Sequence, residues 1–208
     1  MSKLFSGTEG ALQINTADIA DDAVTLAKLS ATGTPSSSNF LRGDNTFAAA
    51  GGGKILQVVQ DEITATVTVT GSTSFVDVTN LAVAITPASS SNKVLISGVL
   101  RVSTQSGTGP TVKLVRDSTD IHLGDASGSY ERGLWGATQM STDVERQMFQ
   151  IPVFFLDSPS TTSEVTYKFQ ARVDHTSHTL YVNRFYRASD AGQEPRTASN
   201  LVAMEIES

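Results

Sequence analysis

The residues from Lys54 to Ser208 alternate between apolar and polar side chains in a way that suits one kind of secondary structure. Residues 63–70 place an aliphatic side chain at every second position with threonine between, and residues 165–174 repeat the alternation with aromatic and charged side chains. Because successive side chains of a β-strand point to opposite faces, this pattern predicts strands with one buried and one solvated face. No long stretch shows the periodicity of an amphipathic helix, so we expect an all-β region.

Two runs depart from this alternation in an informative way. Val94 to Val102 and Phe149 to Leu156 carry apolar side chains on both parities. A strand of that kind has protein against both of its faces. One face belongs to the core of the domain, and the second buried face indicates packing between subunits.

Several further runs have the length and composition of strands, and turn residues separate them. They are Ile55–Gln60, Phe75–Asn80, Leu81–Thr86, Val112–Arg116, Ile121–Gly124, Leu180–Phe185 and Leu201–Ile206. Residues 117–120 predict a tight hairpin, and residues 157–163 predict a longer polar connection. About ten or eleven strands without a long helix predict an antiparallel β-sandwich of the jelly-roll type.

The first 53 residues differ in texture from the rest. In residues 1–30, Ile14, Ile19, Val24 and Leu29 recur every five positions, a spacing that lines one face of neither a helix nor a strand. The acidic pair before Ala23 also fits the start of a short helix, so the local structure stays open. In either case the segment is too thin to bury its own apolar side chains, and we expect it to serve as an attachment and shaft segment.

Residues 31–53 are rich in serine and glycine and contain almost nothing that forms a core. The run Gly51 to Gly53 is a flexible joint by composition, and it lacks the preceding strand and the Lys-Ser/Thr pair of a phosphate-binding loop. We therefore predict three parts: an attachment segment at 1–30, a linker at 31–53 and a β domain at 54–208.

Charge and composition exclude several classes of partner. The formal net charge is −6, whereas a nucleic-acid partner requires clustered lysine and arginine. The chain has no cysteine, so disulfides and thiolate chemistry are excluded. No run is apolar enough for a signal peptide or a membrane span. We expect a soluble protein with no nucleic-acid partner and no membrane insertion.

The sequence offers no strong catalytic or metal-binding motif. His175 and His178 flank a turn beside Asp174, but no further ligand lies nearby, so we expect an ordinary polar turn and no metal; His122 is expected to face solvent. The carboxylates that exist as candidates for glycan cleavage are Asp117, Asp120, Asp125, Glu131, Asp143 and Glu145. No nucleophile-elbow motif occurs. We predict no catalytic residue, no cofactor and no enzymatic activity.

Residues 124–144 form the longest irregular segment of the β region and contain the chain's only tryptophan. Long loops on a rigid scaffold often bind ligands, and exposed aromatic side chains hold sugar rings. Tyr130, Arg132 and Trp135 are therefore candidate receptor-contact residues. The alternative for Trp135 is a place in the core or in a subunit interface, which we favour slightly. The aromatic residues Tyr181, Phe185 and Tyr186 are expected to serve packing.

Several segments resemble those of tailed-bacteriophage fibre proteins. The sequence GTPSSSNFLRGDNTF at residues 33–47 is similar to the segment that precedes C-terminal modules of such fibres, and IADDAVTLAKL at 19–29 is similar to their repetitive shafts. The resemblance continues through residues 54–60, 85–94, 115–121, 155–159, 181–184 and 196–201. It covers most of the chain and contains no catalytic motif.

This resemblance implies a structural tail fibre protein of the virion, extracellular in the mature particle. It also implies a homotrimer whose N-termini dock on baseplate or tail proteins and whose C-terminal domains face the host. A trimer would bury the apolar surfaces that one chain leaves open. The expected ligand of the C-terminal domain is a host surface glycan. The alternatives are a purely structural baseplate, adaptor or capsid-decoration protein and, in another class, a glycan depolymerase.

Overall fold

A computed structural model describes residues 29–37, 39–49, 54–138, 140–141, 145–187 and 194–208. The chain divides into two compact units, with the boundary between Gly53 and Lys54. The predictions for the attachment segment fall almost entirely on residues 1–28, which lie outside the described residues. None of the described helices is long and apolar enough to cross a membrane.

The first unit contains a small hairpin within the segment predicted to be a linker. β1 (Asn39–Leu41) and β2 (Phe47–Ala49) pair antiparallel, with Asn39 opposite Ala49. The Asp44 carboxylate accepts hydrogen bonds from the backbone N–H and the hydroxyl of Thr46, at 3.1 and 2.7 Å. Asn45 adopts a positive φ of 61°, which asparagine tolerates better than most residues. These local contacts define the turn of the hairpin.

The second unit is built from eleven strands in its described part. They are β3 (Ile55–Ile63), β4 (Val67–Thr70), β5 (Val76–Ile85), β6 (Lys93–Thr104), β7 (Thr111–Arg116), β8 (Thr119–Ile121), β9 (Trp135–Gly136), β10 (Phe149–Asp157), β11 (Val165–Arg172), β12 (Thr179–Val182) and β13 (Ser199–Ile206). All of their pairings are antiparallel.

The larger sheet is organised around β6, its longest strand. One edge of β6 pairs with β10 along residues 94–102. The other edge pairs with β13 along residues 93–99 and with β12 along residues 102–104. β13 in turn pairs with β3, and β12 with β4. β10 therefore forms one edge of this sheet, and β3 and β4 form the other.

The smaller sheet has the order β5–β11–β7–β8, and β9 pairs with β7 next to β8. The inward faces of the two sheets enclose one hydrophobic core. Tyr167 and Phe169 of β11 are fully buried there, as are Ile96 and Leu100 of β6. The predicted antiparallel β-sandwich is thus confirmed.

The structure differs from the predicted strands at three places. The alternating run of residues 63–70 is interrupted between β3 and β4, where the buried Asn183 side-chain amide donates to the carbonyls of Ile63 and Ala65 at 2.7 and 3.1 Å. The two strands predicted on either side of Asn80 are one strand, β5, which contains a bulge where Asn80 has a φ of 64°. The strand predicted over residues 121–124 ends at Ile121.

Candidate ligand-binding site

A hollow of about 850 Å³ lies at one end of the smaller sheet. Its wall is formed by the loop at 129–138, by residues before and at the start of β7, and by residues at and just after the end of β11. The side chains that give it chemical character are Tyr130, Glu131, Trp135, Arg172 and Asp174. In this part of the described chain, aromatic and charged side chains meet in a concave surface.

The loop is held against β7 by backbone hydrogen bonds. The N–H of Leu134 donates to the carbonyl of Val112 at 2.8 Å, and that of Ala137 donates to the carbonyl of Pro110 at 3.0 Å. Gly133 permits this close approach, since a Cβ there would lie 2.8 Å from the Val112 carbonyl oxygen. The loop therefore presents its side chains from a fixed position, which favours binding without a large ordering cost.

Trp135 packs against the hydrophobic core and also lines the hollow. It is half-buried in β9 and packs against the core through Phe149, with ring centroids 5.8 Å apart. The rest of the ring lines the hollow. The packing of one side fixes the orientation of the indole, so that the exposed part offers a rigid apolar surface.

The charged groups of the hollow already have hydrogen-bond partners. The Arg172 guanidinium donates through Nη1 to the carboxylate of Glu131, while its Nε is buried without a hydrogen-bond partner among the described residues. The Asp174 carboxylate accepts a hydrogen bond from His178 at 2.7 Å. Burial favours the neutral form of Asp174, but hydrogen bonds from the Gly109 N–H and from His178 outweigh it and hold the pKa of Asp174 below its ordinary value.

The three residues predicted for receptor contact divide between two roles. Tyr130 is 81% exposed and lines the hollow, as does Trp135. Arg132 is exposed and donates from Nε to the carbonyl of Gly124 at 2.7 Å, so it holds the loop and does not line the hollow. Arg172 was not predicted, and Glu131 and Asp174 were considered from the sequence only as a candidate carboxylate for glycan cleavage and as a neighbour of His175 and His178. Arg172 and Asp174 lie at the end of an alternating strand, where the pattern gives no functional signal.

The other residues considered from the sequence have local partners. His175 lies beside the Ser177 hydroxyl at 2.8 Å, and the described residues contain no group of three potential metal ligands. His122 is exposed and stacks on Phe155, with centroids 4.6 Å apart. Tyr181 and Tyr186 lie together at 5.6 Å, in agreement with a packing role.

Most of the candidate carboxylates have hydrogen-bond or ion-pair partners. Asp117 accepts the Thr166 N–H at 2.8 Å, Asp120 pairs with Lys113 at 2.7 Å, and Glu145 pairs with Arg187. Asp143 lies outside the described residues. These contacts give Asp117, Asp120 and Glu145 each a structural role.

No protein-family model matches the chain, and no curated protein sequence matches it. Among solved structures, the chain is similar to that of the infectious bursal disease virus Gt strain, with a TM-score of 0.39 and 12% identity over 78% of this chain and 40% of that one. It is also similar to a mutant VP2 protein of infectious bursal disease virus in derived T=1 particles, with a TM-score of 0.39 and 13% identity over 76% of this chain and 38% of that one.

The VP2 subviral particle of the same virus gives a TM-score of 0.34 at 12% identity, over 78% of this chain and 40% of that chain. This chain therefore spans about two fifths of the length of those proteins. TM-scores of this size leave the function of the chain to be argued from its own residues.

Proposed function

We propose that the chain is a structural protein of a tailed-phage virion, of the fibre type, whose β-sandwich binds a host surface glycan in the hollow beside Trp135. The fibre assignment rests on the sequence resemblance at residues 19–29 and 33–47. The binding role rests on one observation, the concave meeting of Tyr130 and Trp135 with the carboxylate and guanidinium groups.

The chemistry of the hollow suits a carbohydrate. A sugar ring has one apolar face of C–H groups, which an aromatic side chain covers, and hydroxyls that both donate and accept hydrogen bonds. Trp135 and Tyr130 provide the aromatic surface, while Asp174 provides acceptors and Arg172 provides a donor.

The balance of charge narrows the glycan class. Glu131 and Asp174 contribute two carboxylates, against the single guanidinium of Arg172. The excess of negative charge would repel a sugar acid or a phosphorylated sugar. It would not repel a neutral sugar, and it would attract the positive charge of an amino sugar. We therefore expect neutral or amino-bearing glycans as ligands.

The groups in the hollow do not suit glycan cleavage. A glycosidase needs a carboxylic acid whose pKa is raised so that it carries a proton near neutral pH. The pKa of Asp174 is lowered, because its hydrogen bonds outweigh burial, and Glu131 is engaged with Arg172. The proposed role is binding without catalysis, which disfavours the depolymerase alternative.

Assembly into a trimer increases the overall affinity for a glycan-covered surface, even if each single site binds weakly. In the proposed fibre, the N-terminal segment attaches to baseplate or tail proteins, and three chains present three hollows toward the host. Linked weak sites bind together because the second site operates at a high effective concentration. The purely structural alternative, a baseplate, adaptor or capsid-decoration protein, predicts no ligand for the hollow.

A glycan array that spans neutral, amino and acidic sugars tests the binding role. Tyr130→Ala removes an exposed aromatic ring without disturbing the core, and we expect it to weaken binding roughly tenfold, which corresponds to about 1.4 kcal/mol. Phe40→Ala is the matched control, because Phe40 is 58% exposed in the first unit.

Binding of a neutral or amino glycan that falls with Tyr130→Ala and persists with Phe40→Ala supports the proposal. Absence of any bound glycan, or equal binding by both variants, contradicts it and favours the purely structural alternative.

A further inference from the structure

We infer that copies of this chain associate through the outer sheet face, defined here as the side of β3, β13, β6 and β10 that points away from the smaller sheet. The inference takes self-association from the proposed function and adds the surface that carries it. The two runs that are apolar on both parities in the sequence, β6 and β10, are neighbours in this sheet.

The strand registers bring apolar side chains into one row across four strands. Leu156 of β10 lies opposite Leu95 of β6, Leu95 lies opposite Met204 of β13, and Met204 lies opposite Val58 of β3. The residues on the other parity of these strands point into the core, as the buried Ile151, Val153, Ile96 and Ala203 show. The row therefore belongs to the outer sheet face.

The neighbouring rows extend this apolar surface. Phe154 lies opposite Ser97, and Val202 lies opposite Ser97 on its other side. In the following row, Pro152 lies opposite Val99. Phe154 is 74% exposed and Val58 is 56% exposed. An antiparallel sheet that faces water has polar side chains on its outer side, so this face is built to be covered.

The size of the face fits an interface between proteins. Four strands about 4.8 Å apart and about eight residues long, at about 3.3 Å per residue, give a footprint of about 500 Å². Side chains that stand out from the sheet raise the accessible area above this footprint. A stable interface buries about 800 Å² per partner, which this face and its rim approach.

The charges of the face favour a second copy as the occupant. They lie at its rim and carry both signs, with Glu62 on β3 and with Lys93 and Arg101 on β6. A rim that carries both positive and negative side chains is complementary to the rim of a second copy. A partner with a surface of one charge would instead favour a rim of uniformly opposite charge. Around a closed threefold axis, the apolar rows of three such chains pack against one another.

The edge of the sheet is less suited to association than its face. β10 is an edge strand that pairs only with β6 among the described strands. Pro152 in the middle of β10 lacks an N–H, and prolines on edge strands oppose the addition of another strand. β10 therefore opposes a continuous sheet across two chains, and the chains associate by packing their sheet faces.

The test measures the solution mass of the full chain by light scattering, with three matched lysine variants. Phe154→Lys and Val58→Lys place a charge on the outer sheet face at opposite edges. Val76→Lys is the control, since Val76 is 39% exposed on the smaller sheet. Circular dichroism melts verify that each variant is folded.

We expect the parent chain and Val76→Lys to have three times the chain mass of 22.0 kDa, and Phe154→Lys and Val58→Lys to dissociate with at least a tenfold increase in dissociation constant. A dimer that the same two variants dissociate supports the face and contradicts only the trimer of the proposed function. An assembly that survives both variants overturns the inference.

Other outcomes would contradict self-association or identify a different occupant of the outer sheet face. A monomeric parent chain overturns self-association by any face. If, in addition, the hydrophobic dye ANS binds strongly only after residues 1–53 are removed, the occupant is the N-terminal part of the same chain. Loss of glycan binding in the array leaves these masses unchanged, so failure of the adhesive role and failure of this inference are distinguishable.

Discussion

At the scale of single residues, Glu205 shows how a charged side chain is accommodated in a core. It lies on the inward face of β13 and is fully buried. Its carboxylate accepts hydrogen bonds from the side chains of Asn92 and Gln57, both at 2.6 Å, and from the Ala88 N–H at 2.7 Å. Glu205 thereby holds the loop that joins β5 to β6 against strands β13 and β3.

These hydrogen bonds determine how Glu205 titrates. Burial favours the neutral form and so acts to raise its pKa, but hydrogen bonds from Asn92, Gln57 and Ala88 outweigh burial and hold the pKa below the ordinary 4.5. A group with a lowered pKa stabilises the folded state above its unfolded pKa and loses that contribution as the pH falls through its folded pKa.

We predict that Glu205→Gln lowers the free energy of unfolding at pH 7 by about 2 to 3 kcal/mol, because an amide NH₂ then faces groups that are themselves donors. Urea unfolding at several pH values measures this difference. It should narrow as the pH falls below 4.5. Glu207→Gln is the control, since Glu207 is exposed two positions further along. If the difference in the free energy of unfolding between the parent chain and Glu205→Gln is constant with pH, the charge of the Glu205 carboxylate does not stabilise the fold.

At the scale of strands, alternation and apolar runs in the sequence were sufficient to predict most of the sandwich. The runs that became β6, β10, β11 and β13 were placed to within a few residues, β11 by its alternation, β6 and β10 by apolar side chains on both parities, and β13 by its strand-like composition. The two-residue β9 and the hairpin β1–β2 were not predicted. Strands of two or three residues have no periodicity to detect, and backbone pairing alone defines them.

The candidate site could be predicted only in part, for a related reason. The long loop with its single tryptophan led to Tyr130 and Trp135. Their partner Arg172 is 41 positions from Glu131 in sequence, and the sandwich topology alone brings the two together. Arg132 does not line the hollow, because its side chain donates to the carbonyl of Gly124, and the path of the loop that brings these two residues together leaves no signal in the sequence.

The pairing of β6 with β13 depends on Gly98. A Cβ at this position would lie 2.3 Å from the carbonyl oxygen of Asn200 and 3.0 Å from the Cα of Leu201. Both are backbone atoms, so the neighbouring strand would have to move. Gly98 thus allows the two strands to approach where β13 crosses the middle of the larger sheet.

We predict that Gly98→Ala lowers the free energy of unfolding by about 2 to 3 kcal/mol through this overpacking. Gly124→Ala, where a Cβ meets nothing within 4 Å, should change stability by less than about 0.5 kcal/mol. Urea midpoints of both variants make the comparison. Equal midpoints would mean that the strands separate at no cost, which contradicts the tight register of β6 and β13.

At the scale of the whole molecule, the second unit contains everything that a stable fold requires. Each buried side chain of its core lies between Ile63 and Ala203, and every described pairing of its eleven strands is internal. The N–H of Glu207 donates to the carbonyl of Lys54 at 2.7 Å, which closes the two ends of the unit against each other. The boundary at Gly53 falls directly before this contact.

We therefore predict that residues 54–208 fold and associate without residues 1–53. Since association favours the folded state, the Tm of the shortened chain should rise with protein concentration, as it should for the full chain. Light scattering at the same concentrations should give three times the chain mass in both cases, because the outer sheet face lies wholly within residues 54–208. A folded but monomeric shortened chain, beside a trimeric full chain, would place the subunit contacts in residues 1–53. The apolar row from Val58 to Leu156 would then have to be covered by another protein.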